Sequence, residues 1–135
     1  MREWSVNTFM KTDKQSPQIL NDFLAYLYTV KGKSQKTAHE YYLDLRMFFR
    51  FIKQQRGLAD DIPFDEIPIT DIDIEFIRTI TLSDAYAFLM YTAQDRLKHN
   101  NSDHSEIGLM SSSRARKVSA LRSFFKYLTD KAHLL

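Results

Sequence analysis

The sequence predicts an all-α fold of four to five helices, four main ones and a minor one, on three observations. Only three glycines and three prolines occur in 135 residues, too few for a turn-rich β architecture. Apolar residues recur at helical spacing in several separate segments. Hydroxyl residues, proline or glycine punctuate those segments where helices start and stop. A hydrophobic content of 44%, with 13% aromatics, is ample for one real core, and the length suits one domain.

Residues 1–15 are polar with scattered Trp4, Val6, Phe9 and Met10, and are expected to form a flexible arm. Ser16-Pro17 then reads as a helix start, a capping hydroxyl followed by proline at the first helical position. Leu20, Phe23, Leu24 and Leu27 carry the apolar stripe, and Gly32 ends this helix. Ser34 opens a second helix that runs to Gln55 and is closed by Gly57. Its buried stripe is Ala38, Tyr41, Tyr42, Leu45, Phe48, Phe49 and Ile52, while Lys36, His39, Arg46, Arg50 and Lys53 occupy part of the opposite surface. Pro63, Pro68 and many carboxylates make 58–73 a connector, followed by a short helical turn over Asp73–Thr79. Ser83 is expected to cap a helix over 84–97 that buries Ala85, Phe88, Leu89 and Ala93, and Lys98–Ile107 reads as a polar loop. Ser111, Ser112 and Ser113 start the last helix, which buries Val118, Leu121, Phe124, Phe125 and Leu128.

Charge is unevenly distributed. Residues 1–57 hold ten Lys/Arg against five Asp/Glu, residues 58–110 three against eleven, and residues 111–135 six against one. If the two basic ends meet in space, the molecule has a positive face, the electrostatic footprint of a phosphate-backbone partner. Both basic helices begin with hydroxyl residues, and a helix N-terminus offers free N–H groups and partial positive charge to a phosphate. Ser34, Lys36 and Thr37 stand at one such start, Arg114 and Arg116 at the other, and Arg46, Arg50, Arg122 and Lys126 extend the positive surfaces. Leu43 and Met47 interrupt the polar side of the second helix. With Phe51 they would form an apolar patch if exposed, which is the cue for a helical protein–protein adaptor, the alternative function.

Other chemistries find little support. The chain has no cysteine, so disulfides and thiolate metal sites are excluded. His39, His99, His104 and His133 lack metal-type spacing, and no metal or other cofactor is expected. Gly32, Gly57 and Gly108 make no phosphate loop, and no Ser–His–Asp pattern stands out. No apolar run approaches the ~18 residues of a membrane span, and the N-terminus lacks a signal-peptide core. The turns are too long for a helix-turn-helix.

Two segments resemble the tyrosine recombinases. Residues 31–52 are similar to a pattern near the start of those proteins through Ser34, Thr37, Tyr41, Asp44, Leu45, Phe48 and Phe51. Residues 111–128 resemble their fourth helix through Arg116, Ser119, Ala120, Leu121, Arg122, Phe124, Phe125, Tyr127 and Leu128. Residues 18–34 look like their first helix and turn. The resemblance runs from about residue 16 to the end, and is nearest to Xer-type recombinases and to phage or transposon integrases. It implies an orthogonal, SAM-like core-binding domain over 16–135 that clamps one side of a duplex recombination half-site. It also implies other recombinase protomers as partners on DNA, an isolated domain that is monomeric, and a place in the bacterial cytoplasm at the nucleoid. By the same resemblance, Ser34, Lys36, Thr37, Arg114 and Arg116 are the foremost DNA contacts. No segment matches the family's Arg–Lys–His–Arg–His/Trp set with its tyrosine nucleophile, so no catalytic residue is expected here. The catalytic domain is expected to be absent from this chain.

Overall fold

Helix boundaries in the computed structural model, which describes residues 16–99 and 112–135, follow from local chemistry at each cap. Five α-helices are present among the described residues: α1 (Gln18–Thr29), α2 (Gln35–Gln55), α3 (Ile74–Arg78), α4 (Leu82–His99) and α5 (Ser112–Asp130), with a single 3-10 turn at Phe64–Glu66. The all-α bundle expected from the sequence is the one observed. The arm expected over 1–15 and the polar stretch from Asn100 to Ile107 lie outside the described residues.

The start of α1 differs from expectation. Pro17 itself takes the N-cap position with extended backbone and no side-chain cap, its carbonyl accepting from the N–H of Leu20 and Asn21. Ser16 is buried and its hydroxyl has no partner. Ser34 does cap α2, accepting the Thr37 N–H at 3.0 Å. Gly32 and Gly57, with φ of +71° and +70°, supply the left-handed residues that end α1 and α2. For α4 the cap is not Ser83 but Thr81. Its hydroxyl accepts the Asp84 N–H at 3.2 Å while the Asp84 carboxylate accepts the Thr81 N–H at 2.9 Å. This reciprocal box starts the helix two residues earlier than expected. Its C-terminal end runs through Lys98 and His99, so those two residues are helical rather than part of a loop.

The core is organised on α2, which packs against α1, α4, α5 and the 3-10 turn. Leu20, Phe23, Leu24 and Leu27 of α1, Leu45, Phe48, Phe49 and Ile52 of α2, Phe88 of α4 and Phe124 and Leu128 of α5 are all buried. Edge-on aromatic contacts join the layers: Phe23 with Phe124 at 5.2 Å, Phe48 with Phe88 at 5.2 Å, and Phe49 with Phe124 at 5.9 Å. Each such pair contributes about 0.5–1.5 kcal/mol beyond its area burial. Val118 and Phe125, expected in the core stripe of α5, are only half-buried. Phe51, expected as part of an exposed patch, is 3% exposed and stacks on Phe88 and Tyr91 at 5.6 and 5.1 Å. Leu43 and Met47 pack against the same core. The three-residue apolar patch expected on α2 is therefore not formed, because Phe51 is buried and Leu43 and Met47 are half-buried.

Candidate nucleic-acid interface

The start of α2 is presented by a tight turn. After α1 the N–H groups of Lys31 and Lys33 bond back to the carbonyls of Tyr26 and Leu27 at 3.0 and 2.9 Å. The turn is therefore anchored to the end of α1. It displays exposed Lys31, Lys33, Ser34 and Lys36 around the positive end of the α2 dipole. The Ser34 hydroxyl also donates to the Thr37 hydroxyl at 3.1 Å. Ser34, Lys36 and Thr37 thus share one compact location.

About two turns further on, α2 and α5 are pinned together. Asp44 is 3% exposed and accepts from Arg116 through two parallel bonds, Nε at 2.8 Å and Nη2 at 3.0 Å. Lys117 Nζ lies 3.2 Å from the same carboxylate and donates to the Ser113 hydroxyl at 3.1 Å. The remaining Nη1 of Arg116 reaches Glu40 at 3.4 Å. Hydrogen bonding to Asp44 raises the Arg116 pKa above its ordinary value against the opposing pull of desolvation. The bidentate fork fixes angle as well as distance. Arg116 therefore serves as a strut between helices, an assignment that its place at a helix start did not reveal. Arg114, in the first turn of α5, is half-buried.

The cations farther along α2 turn the other way. Arg46 lies over the Tyr42 ring with its guanidinium carbon 5.4 Å from the centroid. Arg50 Nε donates to the Ile67 carbonyl at 2.9 Å. Lys53, expected on the positive surface, is 6% exposed. It donates to the Pro68 carbonyl at 2.8 Å and pairs with Asp71. Asp44 and Arg46 are two positions apart, about 160° around the axis, so the strut and this row occupy different flanks. The connector, rich in carbonyls and carboxylates, takes up Arg50 and Lys53.

On α5, Arg122 is exposed and Lys126 is exposed with its Nζ on Asp130 at 2.8 Å. Lys33 and Tyr41 from the α2 side and Ser123 and Lys126 from α5 line one cavity. The basic start of α2 and the basic outer side of α5 are therefore neighbours, so the amino- and carboxy-terminal cationic stretches meet. Lys31 and Lys33 were missed by sequence reasoning, although the Lys-Gly-Lys-Ser run immediately before a helix cap was a usable signal.

Over its whole length the chain is 42% identical, across 140 aligned positions, to "Tyrosine recombinase XerC" of Caldanaerobacter subterraneus subsp. tengcongensis. This whole-length likeness bears out the resemblance to Xer-type tyrosine recombinases expected from the sequence. It spans 36% of the length of that relative. No family model matches the chain, and no solved structure matches it.

Two further features complete the description of the surface. An open apolar cleft of about 440 Å³ lies between α4 and α5, lined by residues that include Leu82, Tyr86, Val118 and Phe125, with Arg122 at its side. Among the described residues no group of three or more His, Asp or Glu is placed to hold a metal ion, and no described helix is long and apolar enough to cross a membrane.

Proposed function

We propose that this chain is the DNA-gripping, core-binding portion of a tyrosine recombinase. In this reading residues 16–135 form the gripping unit, and it closes over one side of a duplex half-site. Other protomers of the recombinase occupy the neighbouring half-sites. Strand breakage and rejoining belong to a catalytic portion that these 135 residues do not supply, and the setting is the bacterial nucleoid. The observation that carries the reading is the junction of the exposed start of α2 with the exposed outer side of α5 around one cavity, in a chain similar throughout to a named recombinase.

Ser34, Lys36 and Thr37 are proposed to hold a backbone phosphate at the α2 N-terminus, with Arg122 and Lys126 on the next phosphates along. Arg114 stands close enough to the α5 start to assist. Arg116 acts through the strut, holding α5 at a fixed distance from α2. Arg46 and Arg50 are secondary contacts in this reading, because both already have partners within the fold.

Fluorescence anisotropy with a labelled random-sequence duplex tests the reading. The Lys36→Ala/Arg122→Ala double variant is expected to bind more weakly on every sequence. Its plot of log K against log salt should be shallower by about 2, roughly 0.9 for each phosphate no longer neutralised. Wild-type affinity and slope in the double variant would refute the assignment.

A further inference from the structure

We propose that the cavity between the α1–α2 turn and the C-terminal half of α5 is a seat for one phosphate group. This rests on the DNA-gripping reading for the source of the phosphate, but not for the chemistry of the seat. The cavity measures about 180 Å³, and four lysines, Lys31, Lys33, Lys126 and Lys131, stand around it. One acid, Asp130, shares the lining, and its carboxylate is taken by Lys126 at 2.8 Å. Four ammonium groups against one carboxylate leave a local excess of positive charge that an oxyanion would offset.

The neutral part of the lining is suited to the same ligand. Tyr26 and Tyr127 stack at 4.9 Å between ring centroids, and Tyr127 leans on buried Phe23 at 5.4 Å. The wall is thus fixed to the core. Burial pushes the Tyr127 hydroxyl above its ordinary pKa, so it stays protonated and able to donate. Ser123 adds a second neutral hydroxyl. Lys31 and Lys33 project from a turn whose N–H groups are bonded to Tyr26 and Leu27, so the ammonium groups start from an anchored base. Continuity with Ser34 and Lys36, the next residues along, makes a backbone phosphate of duplex DNA the occupant.

Nuclear magnetic resonance on the ¹⁵N-labelled 135-residue chain separates the outcomes, using inorganic phosphate and a random-sequence duplex as two probes. Phosphate is expected to move the Lys33, Ser123 and Tyr127 amides saturably, beyond what chloride does at equal ionic strength. The Lys33→Gln/Lys131→Gln variant, altered at exposed positions, should lose that response, and Tyr127→Phe should weaken it while keeping the ring packed. The duplex should move the same amides, and the double variant should show a salt slope shallower by about 1. Lys36→Gln should weaken duplex binding yet leave the phosphate response intact. If phosphate acts only as chloride does and the double variant keeps the wild-type duplex slope, the seat is refuted while the DNA reading stands. If phosphate saturates the cavity and no duplex binds, the seat stands for free phosphate and the DNA reading fails.

Discussion

The two halves of α2 carry similar cations to opposite ends. In the N-terminal half, Lys36 stays exposed beside Ser34 and Lys33. In the C-terminal half, Arg50 and Lys53 are drawn onto Ile67, Pro68 and Asp71 of the connector. The residue types barely differ; what differs is the neighbour that the fold delivers. The acidic segment 58–73 arrives against the second half, while basic α5 crosses nearer the first. A basic residue on a helix is thus a stronger ligand-binding candidate where the tertiary structure has not already given it an acceptor. Asp44 shows the converse. One carboxylate on the N-terminal half collects Arg116 and Lys117 and removes two of the six cations of the last segment from the surface inventory.

The largest effect is expected where this difference is enforced. Asp44→Ala leaves Arg116 and mostly buried Lys117 without their shared partner. Removing one member of a fully buried charge pair costs about 3–5 kcal/mol. Arg116 is part-exposed and keeps Glu40, and Lys117 keeps Ser113, so about 2–3 kcal/mol is expected here. Urea unfolding followed by circular dichroism should show a midpoint shift of that size, with DNA affinity falling as well, since α5 is no longer held at a fixed angle to α2. A loss below about 1 kcal/mol would mean that the strut is replaceable by water and that packing of Phe49 on Phe124 alone sets the helix pair.

What was legible in the sequence was local. Ser34, Gly32 and Gly57 announce the ends of α1 and α2 because each signal acts on backbone within four residues of itself. Most of the apolar stripe of α2 was legible for the same reason, being a periodicity of 3.6; half-buried Tyr41 and buried Phe51 are the exceptions. The α4 start was misread because Thr81 and Ser83 both offer a hydroxyl. The deciding feature was the acid three residues after Thr81, which completes the box with Asp84. The fates of Arg116 and Lys53 were not legible. Arg116 and Asp44 are 72 positions apart, and Lys53 and Asp71 are 18 apart, so charge counting saw the members without the pairing. The lysine-lined cavity is a stronger case, because the α1–α2 turn supplies half of it and Ser123 to Lys131 the rest.

The next test sets the two halves of α2 against each other directly. Lys53→Ala removes a buried stem and strands the Pro68 carbonyl, so it should cost about 1–3 kcal/mol of stability. It should leave the salt slope for DNA unchanged. Lys36→Ala should do the reverse, with stability within about 0.5 kcal/mol of wild type and a DNA salt slope shallower by about 1. Thermal and urea unfolding beside anisotropy at three salt concentrations read both. If Lys53→Ala flattened the slope, the C-terminal half of α2 would belong to the interface after all.

The smallest effect is expected at the Lys126–Asp130 pair, which lies on the surface of the last turn of α5. Asp130 sits where the helix dipole is negative, and a Lys-before-acid spacing of four is the weaker orientation. Hydrogen bonding to Lys126 lowers the Asp130 pKa, and the same bond raises that of Lys126. A lowered acid contributes stability that is present above its unfolded value, near 4 for an aspartate, and lost as pH falls through the folded value. A raised lysine contributes stability that is present below its unfolded value, roughly 10.4, and lost as pH rises through the folded one. Both titrations lie outside pH 5–9, so stability arising from this pair is constant across that window. Asp130→Asn should therefore shift the urea midpoint by the same small amount at pH 5, 7 and 9, as expected for an exposed pair. It should tighten inorganic phosphate binding by releasing Lys126 and deleting the one acid of the cavity. A fall as large as that of Lys53→Ala would show that the pair is structural and that Lys126, like Lys53, is held by the fold rather than free for a ligand.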